Sequence, residues 1–167
     1  MLRLSADWFA LGKPGMELRI GIEDPAQPDI VALLEEGERY SASLYPPESN
    51  HHLALDELRA SHIHFLVARD AAGRAVATGA LALFGPWAEL KRMWVVPPAR
   101  GRGVSKAILA ALEARAKEEQ VSCLRLETGV ANHAALALYE RAGFARCDPF
   151  GDYQPDPLSV FMQKTLA

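Results

Sequence analysis

Cysteine is scarce. Cys123 and Cys147 are the two in a chain of 167 residues, too few for a disulfide scaffold, and both read as reduced thiols of a cytoplasmic protein. No apolar run approaches the roughly 18 residues that a membrane-spanning helix needs. An excess of positive charge is lacking too. The formal net charge is −3, which argues against the phosphate-neutralising contacts of non-specific nucleic-acid binding. There is no long repeat, low-complexity segment or interdomain linker. The opening MLRLSADWFALGKPG has one short apolar patch, an acid at Asp7 and no clear cleavage site, so it reads poorly as a secretion signal. It is read as an N-terminal extension, residues 1–15, ahead of a single domain over residues 16–167. Half of the residues are hydrophobic, enough for one domain with a real core.

Hydrophobic spacing divides that domain into elements. MELRIGIED alternates apolar and polar positions, the pattern of a half-buried strand. DIVALLEEGERYSASL and LALDELRA fit helices, with the turn-rich YPPESNHH between them. HFLVARD, AVATGALALF and AELKRMWVV are three strand-like runs joined by short turns, an antiparallel meander. Val104, Ile108, Leu109, Leu112 and Ala116 form one apolar helical stripe. SCLRLET is a short strand, a second helix runs from Asn132 to a stop at Gly143, and FARCDPF and SVFMQKTL close the chain as strands. The order β-α-α-β-β-β-α-β-α-β-β predicts a mixed α/β sheet.

Between the third meander strand and the long helix stands Arg100-Gly101-Arg102-Gly103. A helix start leaves backbone N–H groups unpaired and carries about half a positive charge. A phosphate would satisfy both, and glycines let it reach the backbone. A solvated turn with incidental charges is the other reading of the spacing. The segment is neither a nucleotide-triphosphate loop, lacking Gly-Lys-Ser/Thr, nor a dinucleotide fingerprint, lacking a third glycine.

Arg100-Gly101-Arg102-Gly103-Val104-Ser105 resembles the acyl-CoA pyrophosphate loop of the GNAT superfamily of N-acyltransferases, Gln/Arg-x-x-Gly-x-Gly/Ala, departing from it at Ser105. LETGVANHAALALYERAGF, residues 126–144, resembles the superfamily's second signature, an Asn followed by an Ala/Leu-rich helix and Leu-Tyr-Glu-x-x-Gly-Phe. The element order matches from Met16 onward, and the C-terminal segment is similar to a small bacterial branch of little-characterised members. The resemblance implies a GNAT-type α/β (α+β) fold. Its mixed, mostly antiparallel sheet has about six to seven strands and about four flanking helices, and splays between its fourth and fifth strands.

The same resemblance implies acetyl transfer from acetyl-CoA to a primary amine by direct attack in a ternary complex. The backbone of Met93, Trp94 and Val95 would hold the pantetheine arm and thioester. The N–H groups of Gly101, Arg102, Gly103, Val104, Ser105 and Lys106, with Arg100 beside them, would hold the pyrophosphate. Asn132 would bind the pantetheine, and Tyr139 would protonate the departing sulfur. Asn132 and Tyr139 are seven residues apart, which at ~100° per residue returns both to one helix face. Glu127, five residues before Asn132, is the candidate base through water, with Glu89 as the alternative. Tyr45, Glu48 and Tyr153 are candidate substrate contacts, with Asn50 and Asp152 near them, although turn chemistry also explains these segments. His62 and His64 would share a strand face in a structural role. His51-His52 lacks a supporting ligand spacing, so no metal is expected. The partner is a small-molecule or peptide amine, with no nucleic acid and no membrane, and a homodimer is compatible with the family's habits. Two other readings compete: a non-catalytic acyl-CoA-binding or regulatory module on the same fold, and RNA binding by the single Arg-Gly-Arg-Gly copy, which lacks aromatic interleaving.

Overall fold

The computed structural model describes residues 7–10, 17–50 and 53–167. The His51-His52 pair and Met16 lie outside them. In chain order the elements are β1 (Asp7–Ala10), β2 (Glu17–Ile22), α1 (Pro28–Leu44), α2 (Leu55–Leu58), β3 (Ile63–Arg69), β4 (Ala75–Phe84), β5 (Trp87–Val95), α3 (Val104–Glu118), β6 (Cys123–Gly129), α4 (His133–Arg141), β7 (Ala145–Arg146) and β8 (Ser159–Thr165). They form an eight-stranded sheet in the order β1-β2-β3-β4-β5-β6-β8-β7. From β2 onward this is the predicted order, and the meander is β3-β4-β5. The additional strand is β1. It comes from the segment read as an extension and pairs antiparallel with β2.

Period-two burial divides the sheet's residues between two layers. One core packs Leu66, Leu81, Leu90, Leu124, Leu126 and Met162 against Ile108, Leu112 and Tyr139 of α3 and α4. The other packs Phe65, Val67 and Ala80 against Ile30, Leu34 and Leu58 of α1 and α2. Burying each such aliphatic side chain stabilises the fold by about 1.5–3 kcal/mol. His62 falls in the turn before β3 rather than on it, where its ring lies 6.0 Å from that of Phe84. His64 is on the strand and accepts a 2.9 Å hydrogen bond from Arg115 Nε.

Two features of β5 shape the site. It pairs with β6 in parallel, but only from Trp87–Cys123 to Leu90–Leu126; beyond Leu90 the two strands separate, as the resemblance implied. Just past that point β5 bulges against β4, because Lys91 pairs with Ala80 and Trp94 with Thr78. Two residues of β5 therefore face one of β4. Arg92 takes up the bulge in a left-handed conformation, φ 56°, and Thr78 Oγ1 donates a 2.8 Å hydrogen bond to its carbonyl. Gly79 lies opposite, where a Cβ would stand 2.7 Å from Leu112 Cδ1 and 2.9 Å from Met93 Sδ, so these two side-chain ends would have to shift to admit one.

Candidate active site

The separation of β5 and β6 opens a cavity of about 430 Å3, bounded by α1, β5, the start of α3, the end of β6 and α4. Arg100, Gly101, Gly103, Val104 and Ser105 line one end. Met93, Trp94, Val95, Asn132 and Tyr139 line the middle, and Glu89, Glu127, Tyr45 and Tyr153 the other end. Residues from both sequence motifs thus meet in one space. Glu48, Arg102 and Lys106 do not line it. Glu48 is exposed on the turn Pro47–Ser49, while its neighbours Ser49 and Asn50 do face the cavity.

At the first end the backbone is laid open. Gly101 and Gly103 both have φ 77°, a left-handed conformation that favours glycine, and no atom lies within 4 Å of where their Cβ atoms would stand. Gly103 is the N-cap of α3, and no side chain caps that helix. Uncapped N–H groups, the helix dipole and an absence of side-chain bulk fit a diphosphate group. The Arg100 side chain turns back over β5. Its Nε donates to the Val95 carbonyl at 3.2 Å, and its guanidinium sits 4.9 Å from the Trp94 ring centre and 6.0 Å from that of Tyr40.

In the middle, Asn132 is the N-cap residue of α4, and Tyr139 lies on the helix facing the cavity and the core. Tyr139 is 5% exposed, and burial holds its phenol well above the ordinary value. Phe144 meets its ring edge-on at 5.6 Å. The phenol therefore keeps its proton in the resting enzyme.

At the far end a charged cluster sits on the sheet face opposite α3. Glu89 is 6% exposed. Its Oε2 accepts the Tyr153 hydroxyl at 2.6 Å and Lys91 Nζ at 3.2 Å, and Lys91 also donates to the Tyr153 oxygen at 2.8 Å. Burial first, and then the Glu89 carboxylate, push the Tyr153 phenol far up. Glu127 projects from β6 into the same compartment, and its charge contributes to raising both Tyr153 and Tyr45. For Tyr45, burial is the main cause.

Sequence reasoning missed two contributors, Lys91 and Arg92. Lys91 is two residues from Glu89, and its strand alternation could have placed both on one face. Trp94 and Arg92 carry a buried Nε1 and Nε without a hydrogen-bond partner. Arg92 Nη2 is fixed to Glu38 at 2.6 Å and to the Leu53 carbonyl at 2.8 Å. Only the left-handed bulge turns that guanidinium toward α1, and nothing in the local sequence announces it.

Among the described residues, no helix is long and apolar enough to cross a membrane. Residues 29–144 match the Acetyltransferase (GNAT) family. The chain is 47% identical over 149 residues to the IAA acetyltransferase of Azospirillum brasilense, covering 88% of this chain and 97% of that one. A solved structure from Klebsiella pneumoniae, described as an acyl-CoA N-acyltransferase, is similar with a TM-score of 0.76 and 35% identity, covering 90% of this chain and 98% of that one. The fold is also that of the PaiA N-acetyltransferase of Thermoplasma acidophilum, solved with coenzyme A, at a TM-score of 0.70 and 18% identity, over 89% of this chain and 99% of that one. With the two motifs that line the cavity, these likenesses establish that the chain belongs to the GNAT family of acetyltransferases and is an acyltransferase enzyme.

Proposed function

We propose that the enzyme transfers an acetyl group from acetyl-CoA to a primary amine by direct attack, with both substrates bound together, in the cytoplasm. The observation that carries this reading is the cavity itself. It is continuous from the uncapped start of α3, through the gap between β5 and β6, to the Glu89, Glu127 and Tyr153 cluster. When bound, acyl-CoA supplies an acyl group on a thioester that an unprotonated amine can attack.

The chain's own groups would act as follows. The backbone N–H groups of residues 101–106 bind the diphosphate. The strand backbone at Met93, Trp94 and Val95 and the Asn132 side chain hold the pantetheine arm along the open edge of β5. An N–H near Val95 polarises the thioester oxygen. Glu127 takes a proton from the amine nitrogen through water, because an alkylamine of pKa near ~10 arrives mostly protonated. Tyr139 gives its hydroxyl proton to the departing sulfur. A second reading places the base at Glu89, favoured by its short hydrogen bond from Tyr153. In that case the amine proton reaches the Tyr153 oxygen as the Tyr153 proton passes to Glu89.

The test is thiol release from acetyl-CoA across a panel of amines and peptides. Amine-dependent release is the expected result. Cofactor binding without turnover on any amine would support a binding module instead.

A further inference from the structure

The segment that leaves α1 is fastened at both ends across the acceptor side of the cavity. At its start the Tyr45 hydroxyl accepts the Ala131 N–H at 3.0 Å. The ring lies so close to Gly129 that a Cβ there would collide with it. The Asn50 side-chain amide donates to the Tyr45 and Pro46 carbonyls at 3.3 and 3.2 Å, folding the segment back on itself. Near its other end Ser49 Oγ donates to Asp156 Oδ2 at 2.7 Å, and Asp156 Oδ1 in turn accepts the Leu158 N–H at 2.8 Å. Residues 45–50 thus form a strap from the β6–α4 turn to the β7–β8 connection. Tyr45, Ser49, Asn50 and, beyond them, Tyr153 all face the cavity.

The space beneath is small. About 430 Å3 must receive the cofactor arm as well as the acceptor, whereas pockets for one drug-sized ligand run ~300–1,000 Å3. The Tyr45–Ala131 and Ser49–Asp156 ties hold residues 45–50 at the acceptor end, where a peptide running on beyond its first residue would meet them. Glu89, Glu127 and Lys91 line the acceptor end of the cavity, so an amine there meets charged side chains of both signs.

From this we infer that the acceptor is a small free-standing amine of about amino-acid size, and that the strap at residues 45–50 excludes peptide N-termini. The inference rests on the acyl-transfer reading above and narrows it. Amide formation balances without a co-reactant: the amine nitrogen bonds to the acyl carbon, the carbon–sulfur bond breaks, and the amine's proton ends on the thiol.

The experiment compares thiol release on three kinds of acceptor: amino-acid amides, tri- and pentapeptides beginning with the same residues, and simple alkylamines. Amides and peptides have α-amines of matched basicity, so size is what differs. The small amines are expected to exceed the peptides at least about tenfold in kcat/KM. Ser49→Ala and Asp156→Ala, each of which removes one partner of the far tie, are expected to raise the peptide-to-amide ratio about fivefold or more. Equal wild-type rates on amides and peptides would overturn the inference while leaving acyl transfer in place. An unmoved ratio in both variants would also overturn it, by removing the strap as the determinant. Turnover on no amine, with coenzyme A still binding by calorimetry, would overturn the acyl-transfer reading and this inference with it.

Discussion

The Tyr153 hydroxyl donates to Glu89 across 2.6 Å, and Lys91 contacts both partners. Glu89 is thereby held as a structural anion as well as a candidate base, whereas Glu127 faces the same chamber from the neighbouring strand. Glu127→Gln is expected to lower kcat by about 10²–10⁴-fold. Glu89→Gln leaves Lys91 and Tyr153 without their carboxylate and is expected to cost about 3 kcal/mol in urea unfolding. If Glu89→Gln, and not Glu127→Gln, lowers kcat by that amount, the base is Glu89.

Tyr139→Phe is expected to reduce kcat by about ten- to a few hundredfold while coenzyme A affinity stays within about twofold. Thiols leave readily, so the acid's contribution is modest. Because burial raises the Tyr139 phenol, it stays protonated past its ordinary value, so wild-type kcat should show no alkaline loss from this group below pH ~10. An unchanged rate in the phenylalanine variant would remove Tyr139 from the chemistry.

Gly103 sits at φ 77° at the head of α3, so Gly103→Val forces a β-branched residue into the left-handed region, at about 1–2 kcal/mol or more. It also places bulk where a phosphate would approach. Coenzyme A affinity by calorimetry is expected to fall at least about tenfold. Gly21→Ala, on β2, whose Cβ meets nothing within 4 Å, should leave it unchanged.

His64 should make stability depend on pH. Burial first, then Arg115, holds its pKa below 6.5. The unfolded chain therefore binds this proton more readily than the folded one. Its contribution is fully present above pH ~6.5 and is lost as pH falls toward the folded value. Urea midpoints measured from pH 7.5 down to 5 should fall more steeply for the wild type than for His64→Gln.

Much of the fold is legible because its signals are local. The stripe of Val104, Ile108, Leu109 and Leu112 marks α3, and Gly143, at φ 97°, ends α4 where a glycine stop predicts it. The two motifs that line the cavity are likewise contiguous stretches. The acceptor end is another matter. Ala131 and Tyr45 are 86 residues apart, and Glu89 and Tyr153 are 64 apart. No periodicity links such partners, since only the closed sheet brings them together. Glu48 illustrates the cost: within one turn, composition does not distinguish the residue that faces solvent from Ser49, which faces the cavity. The bulge at Arg92 is equally silent, because it arises from the register of the β4 pairing.

The most direct measurement is a crystal structure of the enzyme grown with coenzyme A. The diphosphate is expected within ~3.2 Å of backbone nitrogens of residues 101–106, with the pantetheine arm running between β5 and β6 past Leu90 toward Asn132. Phosphates seated anywhere else, or an arm outside that gap, would contradict the account.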